Sequence, residues 1–598
     1  MPLEEIRAGM EGVARTVFEA DAMEEFRVEI LGVLRNAIGP GHDMILARLK
    51  GEKVEFTGVV SGMSGSPVYI DGRLVGAIAY RLGPFAKEAI AGITPIHDML
   101  GLSGAVPPSD AARVAPAPHL LGEFLAGGIG VDSDLPGGPG PVGDPEPAEF
   151  GLSGSIGAPG HAGGPGLLPG AAATGLRPIG TPLVCSGCDP EVLAYYAPIF
   201  RSRGLEPMSG GGSTGGESRL GLTPGSPIGA AMVLGDISVT GIGTLTAVDG
   251  GRVYGFGHGF LGVGPLEIPM TQAQILATYP SAATSFKIAN TTEPVGAIIR
   301  DGLTAVVGEV GRVPPTIPLD VSVASGDRLR PFHYDILSHR AWSPVMVALV
   351  TANSLVRTTE FDASASLGLR YRIDIEGRPP VEMEDLFSGP NPAQPVHAAL
   401  ANRVGSVFGL LTNNRFEPPP VRGLEIAVEI LREAQVASVT ALHASRTLAR
   451  PGERLTITSV LTPFRGEPRE IAWEVELPED TPRGDLHIVV GGGPAIDGLE
   501  RRIRQRQMLQ AGSLSDLVRL IVRRRRSRTL YLRFTRRAPS AIVRSELLPD
   551  LPLSVFTVFN HRRLSSDTTL ISDAPILELS RDLDLVAVGG RRITIKVR

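Results

Sequence analysis

The 598-residue sequence predicts a mainly β protein with several domains. Glycine and proline contribute 74 and 51 residues, more than average usage, which is typical of short strands joined by many turns. Alternating apolar and polar residues over 26–31 and 44–49 indicate strands with one buried face. No apolar run approaches the length of a membrane span. We therefore expect β-barrels or sandwiches rather than a helical bundle, and no transmembrane segment.

Charge and cysteine content argue against several classes of function. The 57 basic and 63 acidic residues nearly balance, so we expect no nucleic-acid partner. Cys185 and Cys188 form a Cys-Ser-Gly-Cys motif, which can be a redox pair or half of a zinc site. No second pair of ligands completes a tetrahedral set. We expect a chance spacing or a local disulfide, with neither a metal nor a cofactor.

The most informative stretch is the loop Gly-Met-Ser-Gly-Ser-Pro at 62–67, which lies between two apolar runs. Asp71-Gly72 then predicts a tight hairpin, because both residues tolerate a positive φ. The glycines beside Ser64 allow the backbone to approach a ligand closely. A serine at such a tip, with backbone N–H groups beside it, is what acyl transfer requires: a nucleophile next to an oxyanion hole. A plain turn between two strands is the alternative.

The full pattern, with Asp-Gly-Arg-Leu-Val-Gly-Ala after the loop, resembles the nucleophile loop and hairpin of chymotrypsin-like serine peptidases. It resembles most closely the peptidase domain of stage IV sporulation protein B and its relatives, the SpoIVB-type family. The resemblance implies a chymotrypsin-like double β-barrel, assembled here from two segments. It also implies that Ser64 is the nucleophile and that the backbone N–H groups of Gly62 and Ser64 form the oxyanion hole.

A second stretch supplies a candidate base. Gly-Ile-Gly-Thr-Leu-Thr at 241–246 leads through a predicted turn at Asp249-Gly250 to His258, which stands between two glycines. Such a histidine can approach a partner freely, and its ordinary pKa suits general-base catalysis. Taken alone, a structural histidine is the alternative. The stretch also resembles the sporulation peptidase family, whose Gly-His motif holds the catalytic histidine, and His258 falls on that motif.

The sequence departs from the family pattern in two ways. The family's histidine precedes its serine, whereas Ser64 comes first here, as in a permuted chain; geometry rather than chain order defines a triad. The family's aspartate lies shortly before the serine loop, and no aspartate stands there in this sequence. Asp43, Glu52 and Glu55 are candidate third members, none can be assigned, and a Ser–His dyad is also possible. His97 is expected to be a surface histidine rather than the base.

The C-terminal half carries no catalytic motif. Alternating runs at 424–431 and 471–477, with a turn and strand at 450–461, predict an immunoglobulin-like β-sandwich over about 420–495. The arginines at 523–526 follow a predicted helix and are expected to form its solvated end.

Three shorter features are also interpreted from local signals. Residues 191–203 predict a short helix that ends at Gly204. A second helix is predicted to begin behind Ser513 and to bury one face from Leu514 to Ile521. The glycine-rich run at 210–216 lacks the Gly-Lys-Ser/Thr ending of a phosphate loop and indicates a flexible loop. His161 is assigned to the predicted linker.

We expect five parts in chain order. They are the serine-bearing half of a peptidase domain (1–105), a Gly/Pro/Ala-rich linker (106–180), the histidine-bearing half of the peptidase domain (181–380), a β-sandwich (381–500) and a small α+β region (501–598). The N-terminus lacks the basic and apolar regions of a signal peptide. Because the resemblance points to an exported protein, we expect a periplasmic or envelope location and a natural start further upstream, with a cytoplasmic protein as the alternative.

The leading hypothesis is a serine endopeptidase that cleaves a protein substrate. Self-cleavage is a possible case of this activity. Ser64 attacks the scissile carbonyl and His258 takes and returns the proton. The alternative is an inactive peptidase-like scaffold that binds another envelope protein or a surface polymer. The sequence indicates no particular oligomeric state.

Overall fold

The structure is a computed structural model. It describes residues 1–20, 22–83, 86–103, 175–210, 220–358, 365–389, 395–500, 507–508, 511–543, 546–559 and 568–598. His161 and most of the predicted linker and glycine-rich loop lie outside these residues. The described residues fall into two compact units, one of 1–103, 175–319 and 332–353, the other of 320–331 and 354–598. No helix among them is long and apolar enough to cross a membrane.

The first unit begins with a closed six-stranded barrel. Its strands are β1 (Glu11–Val17), β2 (Met23–Gly39), β3 (His42–Lys50), β4 (Ser66–Ile70), β5 (Arg73–Leu82) and β6 (Ile90–Pro95). The order β1-β2-β3-β6-β5-β4 closes because β4 pairs with both β5 and β1. Inward residues such as Ile30, Ile45, Val68 and Ile93 form its core. Two short helices, α1 (Glu52–Thr57) and α2 (Ile96–Leu100), precede β4 and follow β6.

The predicted hairpin after the Ser64 loop is confirmed. Ile70 pairs with Arg73, so Asp71 and Gly72 alone form the turn. Their φ values are +49° and +73°, the left-handed conformation that a two-residue turn of this type requires.

In the part of the chain that the structure describes, three strands and one further α-helix lie between the two barrels. They are β7 (Leu176–Pro178), β8 (Thr181–Ser186), α3 (Pro190–Arg201) and β9 (Leu205–Gly210). β7 joins β5 of the first barrel, whereas β8 joins the second sheet and carries β9 at its edge. The predicted helix is thus present as α3, and it starts where the side chain of Asp189 accepts a hydrogen bond from the Glu191 N–H.

A second closed six-stranded barrel follows. Its strands are β10 (Pro227–Gly235), β11 (Ser238–Asp249), β12 (Arg252–Gly255), β13 (Gly264–Tyr279), β14 (Phe286–Asp301) and β15 (Val306–Val310). They run in the order β10-β13-β14-β15-β12-β11, and β11 pairs back with β10. The turn between β11 and β12 is Gly250-Gly251 rather than Asp249-Gly250, since Asp249 pairs with Arg252. Both turn positions have a positive φ, which glycine adopts at little cost.

Three further elements lie between 311 and 358. They are β16 (Thr316–Ser325), β17 (Arg328–Leu337) and α4 (Ser343–Val356). β17 extends the second sheet by pairing with β10 through 334–336.

From residue 366 onward, the second unit continues with three strands and a helix. They are β18 (Ser366–Ile375), β19 (Val381–Ser388), α5 (Val396–Thr412) and β20 (Val421–Leu431). β18 pairs with both β19 and β20. The predicted strand at 424–431 therefore exists, but it pairs with β18 rather than with a sandwich strand.

Two sheets of the second unit form a β-sandwich. Its strands are β21 (Val436–Ala444), β22 (Leu448–Ala449), β23 (Arg454–Pro463), β24 (Arg469–Glu476), β25 (Gly484–Gly492), β26 (Thr529–Val543), β27 (Glu546–Leu548), β28 (Thr568–Asp582), β29 (Val586–Val588) and β30 (Gly590–Val597). One sheet has the order β24-β23-β21-β29 and the other β22-β30-β25-β26-β27, with β28 paired to β26. Leu455 and Trp473 of one sheet share a core with Ile488 and Phe534 of the other. The predicted class, mainly β with barrels and a sandwich, is confirmed.

The described residues beside the sandwich include the helices α6 (Gly493–Leu499), α7 (Leu514–Val522) and α8 (Leu553–Phe559). Ser513 caps α7 by accepting a hydrogen bond from the Asp516 N–H, as predicted. The expectation of a solvated arginine run is wrong for Arg525, whose side chain is 11% exposed. It pairs with the carboxylates of Asp497, Glu500 and Glu578, because a buried guanidinium requires acceptors for its donors.

Candidate active site

The loop that carries Ser64 is held by its own backbone and by β5. The Met63 N–H donates to the Val60 carbonyl at 3.1 Å, and the Gly65 N–H donates to the Ile78 carbonyl at 2.7 Å. Gly65 has a φ of +98°. A Cβ there would overlap the Thr244 carbonyl oxygen and lie 2.5 Å from the Phe256 nitrogen. Only glycine permits this close approach of the loop to the second barrel.

The second barrel binds the same loop through one motif. The Thr244 N–H donates to the Ser64 carbonyl at 2.8 Å. Its hydroxyl donates to the Gly62 carbonyl at 3.0 Å, and the Thr246 hydroxyl donates to the Gly65 carbonyl at 2.7 Å. Both threonines belong to the Gly-Ile-Gly-Thr-Leu-Thr stretch, so the two motifs that the sequence singled out contact each other directly.

Four polar groups of this segment are left over from the network, and the buried Ser61 hydroxyl is one of them. The Ser64 hydroxyl is fully buried and has no hydrogen-bond partner among the described residues. Within the same part of the chain, the N–H groups of Gly62 and Ser64 also make no hydrogen bond, whereas those of Ser61, Met63 and Gly65 all do. Buried polar groups without partners are costly and rare in folded proteins. Unpartnered groups of this kind at one loop could serve as a nucleophile with two oxyanion-hole donors.

The loop that carries His258 leaves β12 and presses against the first barrel. Gly257 has a φ of +67°, and its carbonyl accepts a hydrogen bond from the Thr94 hydroxyl at 2.6 Å. A Cβ on Gly257 would lie 2.8 Å from the Ala79 Cβ and 3.5 Å from the Ile78 carbonyl oxygen. That oxygen is the one to which the Gly65 N–H donates. Gly65, which follows Ser64, and Gly257, which precedes His258, therefore both approach the Ile78 carbonyl group.

Hydrogen bonding fixes the tautomer of His258. Its Nδ1 atom lies 2.8 Å from the Gly259 carbonyl oxygen. Because a carbonyl only accepts, Nδ1 carries the proton and Nε2 keeps its lone pair. Nε2 is buried and has no hydrogen-bond partner in the part of the chain that the structure describes.

The surroundings of His258 also favour the neutral ring. Burial lowers the pKa of His258, and interactions with the backbones of Gly259 and Ile179 oppose this shift in part. A neutral imidazole with a free Nε2 is the form that a general base requires.

Among the three acidic candidates, Asp43 and Glu55 make hydrogen bonds with other groups. Asp43 is the second residue of β3, where the Asn36 N–H and Arg35 hold the pKa of its carboxyl below the ordinary value. Glu52 and Glu55 are exposed on α1, and Glu55 accepts a hydrogen bond from the Gly51 N–H. No hydrogen bond joins any of these three candidates to His258 in the described structure. His97 is exposed and lies 3.3 Å from the Asp98 carboxylate.

A carboxylate that the sequence did not single out holds the segment after His258. Asp301, at the end of β14, accepts hydrogen bonds from the N–H groups of Phe260 at 2.6 Å, Leu261 at 2.7 Å and Val263 at 3.2 Å. Burial raises the pKa of Asp301 although these N–H groups favour the charged form. In the sequence, Asp301-Gly302 looks like an ordinary turn after a strand, so no local signal identifies this role.

A buried amine lies on the other side of the Ser64 loop. Lys287, on β14, is fully buried, and its Nζ atom donates to the Thr16 hydroxyl at 2.8 Å. Its Cβ and Cδ atoms lie 3.4 and 3.3 Å from the Cβ position of Gly62. Burial lowers the pKa of Lys287 to about 7.

The described residues give no support to a metal centre. They contain no group of three or more His, Cys, Asp or Glu side chains that could hold an ion. Cys185 and Cys188 are free thiols. Hydrogen bonding with Cys188, together with burial, raises the pKa of Cys185.

Comparison with known proteins gives a family match for the segment that forms the first barrel. The family model of the SpoIVB peptidase S55 matches residues 3–93, which confirms the SpoIVB-type resemblance over that segment. The matched segment contains Ser64 and ends before His258, so it indicates a serine peptidase at the level of the family. No curated protein and no solved structure matches the chain.

Proposed function

From the family match of residues 3–93, we propose that the protein is a serine endopeptidase with Ser64 as nucleophile and His258 as general base. The observation that carries the proposal is the hydrogen bond from the Thr244 N–H to the Ser64 carbonyl. It ties the serine loop to the barrel that carries the histidine. The unpartnered Ser64 hydroxyl and His258 Nε2 then lie in loops with common neighbours.

The proposed mechanism follows acyl-enzyme chemistry. The Ser64 Oγ attacks the scissile carbonyl while Nε2 of His258 accepts its proton and later delivers it to the leaving amine. The N–H groups of Gly62 and Ser64 donate to the oxyanion that develops in the transition state. Water then hydrolyses the acyl-enzyme by the same proton transfers in reverse.

The contacts of His258 support a Ser–His dyad rather than a triad. The Gly259 carbonyl performs one task of a triad carboxylate, since it fixes the tautomer. It adds no full negative charge to stabilise the imidazolium. Asp43, Glu52 and Glu55 have no described hydrogen bond to the ring, and the described hydrogen bonds of Asp301 come from the segment that follows His258.

Substrate and location rest on the family alone. A protein substrate, possible self-cleavage and an exported or envelope location are proposals of this kind. One observation favours the alternative of an inactive binding scaffold: no part of the Ser64 side chain is exposed, and His258 is only 4% exposed. A substrate therefore reaches Ser64 only if the surrounding loops move.

Labelling by a fluorophosphonate probe tests the proposal. Wild type is expected to label at Ser64, Ser64→Ala not at all, and His258→Ala about 100-fold more slowly, because the general base is lost. Ser61→Ala is the matched control, since Ser61 is another buried serine of this loop with an unpartnered hydroxyl. Equal labelling of all four proteins contradicts the mechanism. No labelling of folded wild type favours the scaffold.

A further inference from the structure

The amine of Lys287 has no role in the proposed mechanism, although Lys287 packs against the Ser64 loop. Burying an ammonium group costs free energy unless it is paired and hydrogen-bonded. In the described structure its amine donates to the neutral Thr16 hydroxyl and forms no ion pair. A methionine or leucine would fill the same space without this cost, so the amine calls for a function.

Lys287 contacts the serine loop through both its backbone and its side chain. The Lys287 N–H donates to the Ser61 carbonyl at 3.1 Å, and the Ser61 N–H donates to the Ser285 carbonyl at 2.8 Å. The stem of Lys287 packs on Gly62, with the Cδ atom 3.3 Å from its Cβ position. Nζ lies two bonds beyond Cδ. The stem that carries the amine is therefore held against one of the two proposed oxyanion-hole residues.

We propose that Lys287 is a positioning residue of the Ser64 site, whose backbone and stem hold the Gly62 segment and whose buried ammonium group adds positive charge near the oxyanion hole. The inference rests on the proposed peptidase function. Fixed positive charge in a water-excluded site stabilises a developing oxyanion far more than it would in water. Lys287 acts through Gly62 and does not itself contact the reacting atoms.

The groups around Lys287 make its protonation state easy to interpret. Its contacts include Thr16 on β1, Ser61 and Gly62 in the loop, and its strand partner Thr278 on β13; Pro182 on β8 packs on the same Gly62. None of these side chains is titratable. The charge of Lys287 consequently depends on its burial and on the Thr16 hydroxyl, which stabilises the charged form.

The test is the rate of fluorophosphonate labelling as a function of pH. The wild-type rate is expected to fall as the pH rises through about 7, where Lys287 loses its proton. Lys287→Met keeps the length of the stem and removes the amine. It is expected to label about tenfold more slowly at pH 6.5 and to lack the alkaline fall. Lys53→Met, which removes a half-exposed amine paired with Glu24, is the control with unchanged rates.

A second pair of variants serves if Lys287→Met does not fold. Thr16→Val removes only the acceptor of the ammonium group and is expected to move the alkaline fall to lower pH, whereas Thr16→Ser keeps it in place. An alkaline fall that Thr16→Val leaves unmoved overturns the inference, as does wild-type labelling by folded Lys287→Met at every pH. Both results leave the peptidase proposal intact. If folded wild type does not label at any pH, the peptidase proposal fails and the inference fails with it.

Discussion

The Nδ1 atom of His258 lies 2.8 Å from the carbonyl oxygen of Gly259, the next residue in the chain. The backbone thus performs a task that serine peptidases usually assign to a carboxylate, which is to hold the imidazole in the tautomer with a free Nε2. Because this acceptor is part of the main chain, no acidic residue has to stand near the ring for the tautomer to be fixed.

The first prediction concerns the acid limb of the pH profile. Labelling of Ser64 requires neutral His258, and burial lowers the pKa of His258 below its ordinary value. We expect the labelling rate to rise with pH through a midpoint below about 6.5, the ordinary value for histidine. Measuring the rate between pH 4.5 and 7 checks this. His97→Gln, at an exposed histidine, should keep the profile, and a wild-type midpoint above 6.5 would contradict the prediction.

A second prediction compares two glycines with left-handed backbone conformations. Gly65→Ala should destabilise the protein by about 3 kcal/mol or more, because the added Cβ overlaps backbone atoms that cannot move aside. Gly72→Ala should cost about 1 kcal/mol, since Gly72 has a similar φ but nothing within 4 Å of its Cβ position. Urea unfolding measures both. Equal losses would mean that the close approach of the loop to Thr244 is absent.

Asp301→Asn should destabilise the segment after His258 without altering a contact of Ser64. The amide of asparagine loses the charge and turns one acceptor into a donor that faces backbone N–H groups. We expect a loss of about 2 kcal/mol in the free energy of unfolding and faster hydrogen exchange at the N–H groups of Phe260 and Leu261. Asp249→Asn, at an exposed position, is the control. Unchanged exchange at both amides would show that Asp301 does not hold the segment.

Lys287 should make stability depend on pH in a definite direction. Its pKa is about 7 in the folded chain and about 10.4 in an unfolded one, so the unfolded chain binds more protons between these values. The free energy of unfolding therefore gains up to about 1.4 kcal/mol per pH unit from this residue between pH 7 and 10.4. Folded Lys287→Met should lack this rise and should be more stable than wild type at pH 6.

Urea unfolding of wild type, Lys287→Met and Lys53→Met at pH 6, 7, 8 and 9 isolates the contribution of Lys287. The difference between wild type and Lys287→Met should shrink as the pH rises. A constant difference across this range would show that Lys287 has no lowered pKa.

The sequence predicted features whose signals are local. Asp71-Gly72 forms the expected turn because both residues accept a positive φ, and Ser513 caps its helix through a neighbour three residues away. Ser64 and His258 stood out because glycines surround them, and the structure brings their motifs together through Thr244.

Features that depend on distant partners were not predictable from local patterns. Lys287 meets Thr16 across 271 residues, and Asp301 meets Phe260 across 41. In the sequence each is only a charged residue within or at the end of a strand, and nothing nearby shows that it becomes buried. The second sheet of the sandwich was missed for the same reason, since β25 pairs with β30 about a hundred residues later.

The contact between Thr244 and Gly62 spans 182 residues of chain. During synthesis the serine loop consequently leaves the ribosome long before the strand that holds it. Under the proposed mechanism, a half-made chain has a nucleophile but no base, so it cannot attack the proteins around it. Under the same mechanism, the order of the two motifs along the chain delays activity until the second barrel has been made and has folded.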